Sequence, residues 1–195
     1  MKKRILYSVM VVLILCLQLH AQVKFDVKGG LNLSKVQFTE TGLTYESSNR
    51  FGFHVGVQAF ISISDKLFLQ PELFYSQEGG ETHINNLKSK NYFDFLTLPL
   101  MFGIKPLPKF KIVAGPQFGY LLSAQSEVNG IKGDKKGIKS MNTSLAFGLG
   151  YQVLEKLEFY SRYNVGVTNL NDDPLEARER KINTLQFGLA LHLYR

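Results

Sequence analysis

From residue 23 onward, apolar and polar residues alternate one for one along most of the chain. In the segment 23–34 the odd positions read Val, Phe, Val, Gly, Leu, Leu, and the even positions read Lys, Asp, Lys, Gly, Asn, Ser. Successive side chains of a β-strand point to opposite faces, so this segment predicts a strand with one apolar and one polar face. A helix would scatter the same residues around its circumference. The pattern returns over residues 51–62, 67–78, 92–105, 110–123, 141–153, 157–168 and 185–194, which makes eight predicted strands. In the second, Phe51, Phe53, Val55 and Val57 share one face, and Gly52, His54, Gly56 and Gln58 share the other.

The connections carry a second periodicity. Those after the second, fourth and sixth strands are tight: Ile63-Ser64-Asp65-Lys66, Pro106-Leu107-Pro108-Lys109 and Leu154-Glu155-Lys156. Those after the first, third, fifth and seventh are long and polar, at 35–50, 79–91, 124–140 and 169–181. Strict alternation of short and long connections predicts an up-and-down barrel with short periplasmic turns and longer extracellular loops.

Alternation by itself does not choose between a membrane and a soluble sandwich. Each apolar face runs over five or six alternate positions, close to the 9–11 residues a tilted strand needs to span a bilayer. The opposite face is rich in Gly, Gln, Asn and Ser, as the crowded interior of a narrow barrel requires. Aromatics gather near strand ends, with Phe51, Tyr75, Tyr92, Phe93 and Tyr120 at the loop side. Phe60, Phe102, Phe110, Tyr151, Phe159 and Tyr194 gather at the turn side, and rings at both levels suit two interfacial girdles. The expected fold is an all-β, eight-stranded antiparallel up-and-down transmembrane β-barrel, a single domain over 22–195. In hydrocarbon an open sheet edge is not tolerated, so the strands must close on one another.

The N-terminus sets the compartment. Lys2, Lys3 and Arg4 precede the apolar stretch Ile5 to Leu19, and Ala21 supplies a small residue at a cleavage point, so 1–21 reads as a secretory signal peptide. The sole cysteine, Cys16, lies inside that stretch behind Leu15, which argues against lipidation and leaves the exported chain without a disulfide or a thiolate metal site. Of 23 Lys and Arg the signal removes three, leaving 20 against 16 acids. So small and dispersed an excess does not point to nucleic acid.

Lys24, Asp26, Lys28, Glu72, Glu158 and Arg162 are among the charged residues that fall on the inward face. A lone buried charge is costly, so a paired lumen network of Asp26, Lys28, Glu72, Glu158 and Arg162 is expected, with Arg162 meeting Glu72 or Glu158. Eight strands enclose a lumen that side chains can fill, and a plugged interior is expected over an open pore.

The signal peptide and the segments Val27-Lys28-Gly29-Gly30-Leu31-Asn32, Leu69-Gln70-Pro71-Glu72-Leu73-Phe74-Tyr75-Ser76-Gln77-Glu78-Gly79-Gly80, Leu98-Pro99-Leu100, Ala114-Gly115-Pro116-Gln117-Phe118-Gly119-Tyr120-Leu121-Leu122 and Phe147-Gly148-Leu149-Gly150-Tyr151 resemble the small outer-membrane β-barrel proteins abundant in Bacteroidetes, often labelled PorT-like. The likeness covers essentially the whole exported chain and implies the fold and the outer membrane. Its motifs are architectural. The namesake takes part in protein secretion, which makes a secretion-system partner one implied role. Outer-membrane barrels commonly end on an aromatic residue read by the insertion machinery, whereas here Tyr194 is followed by Arg195.

No residue set amounts to a catalytic, cofactor or metal site. His54 and His192 face inward without a Ser/His/Asp arrangement, and His83 with Glu81 is too few ligands for a metal. Gly148-Leu149-Gly150 has no following helix and reads as lumen packing. Lys132, Asp134, Lys135, Lys136 and Lys139 make the third long loop basic, with anionic glycans or lipid headgroups as the sharper reading of a solvated loop. Asp172-Asp173-Pro174-Leu175-Glu176 lacks the regular spacing of a calcium loop. The expected function is therefore a non-enzymatic barrel that is structural or presents its loops to a partner. Outer-membrane lipid, the barrel-insertion machinery and an envelope or secretion protein are the expected contacts. A membrane-embedded enzyme, a narrow channel and a soluble barrel holding an apolar ligand are the alternatives.

Overall fold

A computed structural model describes residues 23–84, 87–173 and 178–193. The signal peptide, Cys16, Tyr194-Arg195 and the Pro174-Leu175-Glu176 segment lie outside them. Ten strands form one antiparallel sheet: β1 (Val23–Glu40), β2 (Leu43–Glu46), β3 (Arg50–Ser62), β4 (Leu67–Ile84), β5 (Leu87–Leu107), β6 (Phe110–Val128), β7 (Ile131–Asp134), β8 (Met141–Leu154), β9 (Leu157–Gly166) and β10 (Glu179–His192). β2 pairs with β1 and β7 with β6, each as a side branch. The other eight follow one another around the sheet, and β10 returns to pair with β1 from Asp26↔His192 to Thr39↔Glu179, closing the barrel.

The alternation decides which side of the wall each residue faces. Asp26, Asn32 and Ser34 are fully buried in the lumen, while Phe25, Val27 and Leu31 between them stand 40–57% exposed. The same holds around the ring, with Phe102, Phe147, Leu149 and Leu189 among the outward residues. An apolar exterior that is continuous over eight strands far exceeds the patches tolerated on a soluble monomer. It is the reverse of a soluble barrel that shelters an apolar ligand.

The structure corrects the long connections. β1 continues to Glu40, β4 to Ile84 and β6 to Val128, while β5 starts at Leu87 and β10 at Glu179, so much of what reads as loop is paired strand. The 21 residues of β5 are about twice the 9–11 that a membrane crossing needs. The reason is an inversion of the pattern. Below Ser34 the inward residues of β1 are polar, but beyond it the inward residues are Val36 and Phe38, both buried, and the outward ones are Lys35, Gln37 and Thr39. β5 inverts likewise, with Phe93 and Phe95 inward above Thr97. A wall standing in lipid turns its apolar face out, and the same wall standing in water turns it in.

Two tight turns build the branches. Thr41 and Gly42 (φ 48° and 83°) join β1 to β2, and Asn129 and Gly130 (φ 50° and 85°) join β6 to β7. Both central residues at positive φ define the turn whose twist matches a hairpin, and Asn-Gly is its strongest sequence signal. Gly130→Val forces a β-branched residue into that conformation, at a cost of about 1–3 kcal/mol. Amide exchange in β7 should then accelerate by about ten-fold or more, with the barrel's own unfolding midpoint unchanged. Unchanged exchange in β7 would count against this role of Gly130.

Candidate functional site: a layered lumen beneath paired hairpins

The lumen is stratified. At the turn end Phe60, Phe68, Met101, Val113 and Ala146 form an apolar cluster, with the Phe60 and Phe68 rings stacked at 4.6 Å. Phe60 and Phe93 therefore do not belong to the interfacial girdles. Both lie on the inward parity of their strands and are at most 6% exposed. Strand-end position suggested the girdle, but parity decides.

The middle layer is polar. Arg162 on β9 grips Glu72 on β4 through two parallel hydrogen bonds of 2.7 Å, and Lys28 on β1 donates to the same carboxylate at 3.0 Å. Gln70 also donates to Glu72. Side chains from three strands, β1, β4 and β9, thus meet at one carboxylate. Lys28 lies 4.0 Å from the centroid of the Tyr160 ring, a cation–π contact inside the barrel. Asn32 uses its amide nitrogen toward Ser76 and two backbone carbonyls, so its oxygen is the acceptor for His54 Nδ1 at 2.6 Å. That assignment leaves His54 Nε2 to accept the Tyr160 hydroxyl, 2.5 Å away. Both ring nitrogens of His54 are occupied by structural partners, so it is not poised as a base. Tyr160→Phe strips that acceptor of its donor inside the barrel and should cost about 1–3 kcal/mol of unfolding free energy, read by urea titration in micelles. A cost near zero would show that the contact is not maintained in the folded barrel.

The five network residues do not meet in one place. Glu72, Lys28 and Arg162 form the central knot. Asp26 accepts from His192 Nδ1 at 2.8 Å and from Gln58 nearer the turns, and Glu158 pairs with Lys111 at 2.6 Å. Two participants were passed over in the sequence, although parity names them. Lys111 shares the inward face of β6 with Val113 and Gln117, and Tyr160 stands between Glu158 and Arg162 on β9. Glycines make the room. A Cβ on Gly188 would lie 2.2 Å from the Gly29 carbonyl and 2.8 Å from the Tyr160 hydroxyl.

The loop end closes with a second apolar cluster, Val36, Phe38, Phe93, Phe95, Leu170 and Ile182. Leu170 comes from outside the strands and is tied over the mouth by backbone bonds, donating to the Arg180 carbonyl and accepting from Lys139 N–H.

Beyond this plug the hairpins stand in solvent. Register sets Glu81 opposite Lys90, Lys90 opposite Glu127, and Glu127 opposite Lys132, an alternating charge row across four strands. Such exposed pairs are individually worth about 0–1 kcal/mol, but here they repeat in register along one ladder. The Tyr92 hydroxyl donates to Glu127 at 2.9 Å, and Arg50 stacks 4.2 Å above the same ring. Lys132 and Asp134 thus belong to a strand rather than to a loose basic loop, and Lys135 donates to Asn91 at 2.6 Å. Among the described residues, no group of three or more His, Cys, Asp or Glu side chains is arranged to hold a metal ion.

Residues 18–172 match the family described as "Outer membrane protein beta-barrel domain". The chain belongs to this family. It is an outer-membrane β-barrel, and its fold is an eight-stranded antiparallel barrel like those of its structural neighbours. A search of curated protein sequences finds no match. Among solved structures, Neisserial surface protein A is similar at 12% identity over 86% of this chain and 96% of that one, with a TM-score of 0.54. The attachment invasion locus protein Ail of Yersinia pestis matches at 14% identity over 88% and 97%, TM-score 0.48. OprG of Pseudomonas aeruginosa matches at 11% identity over 90% and 98%, TM-score 0.45. At these identities the likeness speaks to the fold alone.

Proposed function

We propose that this outer-membrane barrel is a closed, non-enzymatic support that presents its loop-side hairpins to a protein partner of the cell envelope. The observation that carries this reading is a contrast between interior and rim. The interior is packed in three layers, while the β1–β2 and β6–β7 hairpins hold Leu43 and Ile131 at 73% and 79% exposure, above the apolar belt that meets lipid. Aliphatic side chains held in water on strand-paired hairpins fit recognition of a partner. The resemblance to PorT-like barrels makes a secretion-system protein one such partner. Outer-membrane lipid and the insertion machinery are the contacts that any barrel of this family requires.

A photo-crosslinking residue at position 43 or 131, in cells expressing the full chain, is expected to give a discrete adduct with one envelope protein. Absence of an adduct at both positions would refute the reading. In planar bilayers the purified barrel is expected to show no stable conductance steps, and steps would favour the channel. The enzyme has less support, since the charged groups at the loop-side rim are already engaged in pairs such as Lys35–Glu46 and Arg178–Glu40.

A further inference from the structure

The turn-side mouth of the lumen has a feature that neither the barrel's closure nor its hairpins require. Lys105 on β5 and Lys111 on β6 both point over the stacked Phe60–Phe68 pair. Lys105 Nζ lies 4.3 Å from the Phe60 centroid and Lys111 Nζ 5.4 Å from it. Two ammonium groups over one ring are within about 10 Å of each other, the range over which like charges still repel at about 0.1 M salt. Lys111 has a carboxylate, Glu158, at 2.6 Å, and the pair lies against Gly150, where a Cβ would be 2.7 Å from Glu158 Oε1. Lys105 has no carboxylate within ion-pair distance among the described residues. The other charges acting on it are Lys111, Lys24 and the Glu158 already committed to Lys111. Asp26, further in, is held by His192 and Gln58. The aromatic floor thus carries one filled cation–carboxylate position and one equivalent position whose carboxylate the described residues do not supply.

We propose that this mouth is a carboxylate-binding site, in which Lys105, beside Lys111, takes an acidic side chain of a peptide segment presented from the periplasm. The occupant reaches the mouth from the periplasm because the short turns of the barrel face that side. Lys105 and Lys111 lie on the lumen parity of their strands and Phe60 and Phe68 are buried, so the position opens into the mouth rather than onto the lipid belt. A carboxylate is the matching chemistry because Lys111, over the same pair of rings, already holds one, Glu158, at 2.6 Å. The site is a dead end. Behind Lys111 the space between Gln70, Tyr160 and Arg162 is a cavity of about 10 Å³, room for one water.

The test uses the full exported chain, refolded in a non-ionic detergent at low salt and titrated with an acetylated, amidated tetraglutamate peptide. Saturable binding is expected. Lys105→Gln should weaken it roughly ten-fold, the worth of one charge-assisted hydrogen bond, whereas Lys109→Gln, in the adjacent turn, should not. Equal affinity of the Lys105→Gln barrel would overturn the proposal, and so would an equal loss in Lys109→Gln. Tighter binding of inorganic phosphate than of the peptide would overturn the carboxylate assignment. Heat-modifiable gel migration reports whether each variant is folded. On the wild-type chain, saturating peptide should also protect Lys105 from amine acetylation more than it protects Lys109. Equal protection would overturn the proposal without any variant.

Discussion

Replacing Glu72 with Leu is expected to lower the unfolding free energy by about 3–5 kcal/mol, the cost of leaving buried charge without its partner. Glu72 is the single anion between Arg162 and Lys28, all three side chains being at most 2% exposed. Its removal strands two cations side by side in the lumen. Arg162→Leu should cost less, because Lys28 remains on Glu72 at 3.0 Å and Gln70 still donates to it. The triple replacement Lys28→Met, Glu72→Leu, Arg162→Leu removes every uncompensated charge and should return to within about 2 kcal/mol of the parent, since apolar packing of similar volume commonly substitutes for a buried ion cluster. The chain has no tryptophan, so urea titrations in micelles are followed by far-ultraviolet circular dichroism and by gel migration. If Glu72→Leu costs no more than Arg162→Leu, the carboxylate is not the hub of the layer.

The second large effect separates the two media in which the barrel stands. Leu149 and Ile131 are both exposed, at 49% and 79%. Leu149 sits in the apolar belt opposite Ser161 and Ile112, one step inside the turn-side ring of Tyr151, and Leu149→Arg should destabilise by about 1–3 kcal/mol, between the interface and midplane values. Ile131→Arg, at the tip of a hairpin in water, should stay within about 0.5 kcal/mol of the parent. The measurement is refolding yield and urea midpoint in lipid vesicles. Equal tolerance at the two positions would deny that the belt marks the membrane, and equal intolerance would deny that the hairpin stands clear of it.

Much of the barrel is legible along the chain because parity is a local property. Phe51, Phe53, Val55 and Val57 declare an outward face without reference to any neighbour, and the tight turns at 63–66 and 155–156 declare the order of the strands. The strand extensions were illegible for a specific reason. Val36 and Phe38 break the polar-inward pattern of the first strand, and a break looks like the end of a strand; Phe93 and Phe95 break it inside the predicted strand 92–105. They are instead the same strand after it has left the lipid, with its polarity reversed. The Asn129-Gly130 pair is the local signal that would have revealed one hairpin, and Val128 and Ile131 flank it as strand residues should. Leu170 had no such signal, since it caps the lumen from a segment without strand periodicity.

The site divides along the same line. That Glu72, Glu158, Arg162, Lys28 and Asp26 point inward follows from odd and even positions alone. Which cation meets which carboxylate depends on the stagger of eight strands around a closed ring, and sequence separation contains no such information. Arg162 reaches Glu72 across 90 residues, and Glu158, four residues from Arg162, finds Lys111 instead. By itself the sequence determined the eight strands of the ring, their order and the side that most of their residues face, because those depend on backbone geometry and on contact with lipid or water. Only the tertiary structure decided the height at which polarity inverts, the layering of the lumen and the partners of each buried charge. Those follow from the register in which the ring closes, and closure is a property of all eight strands together.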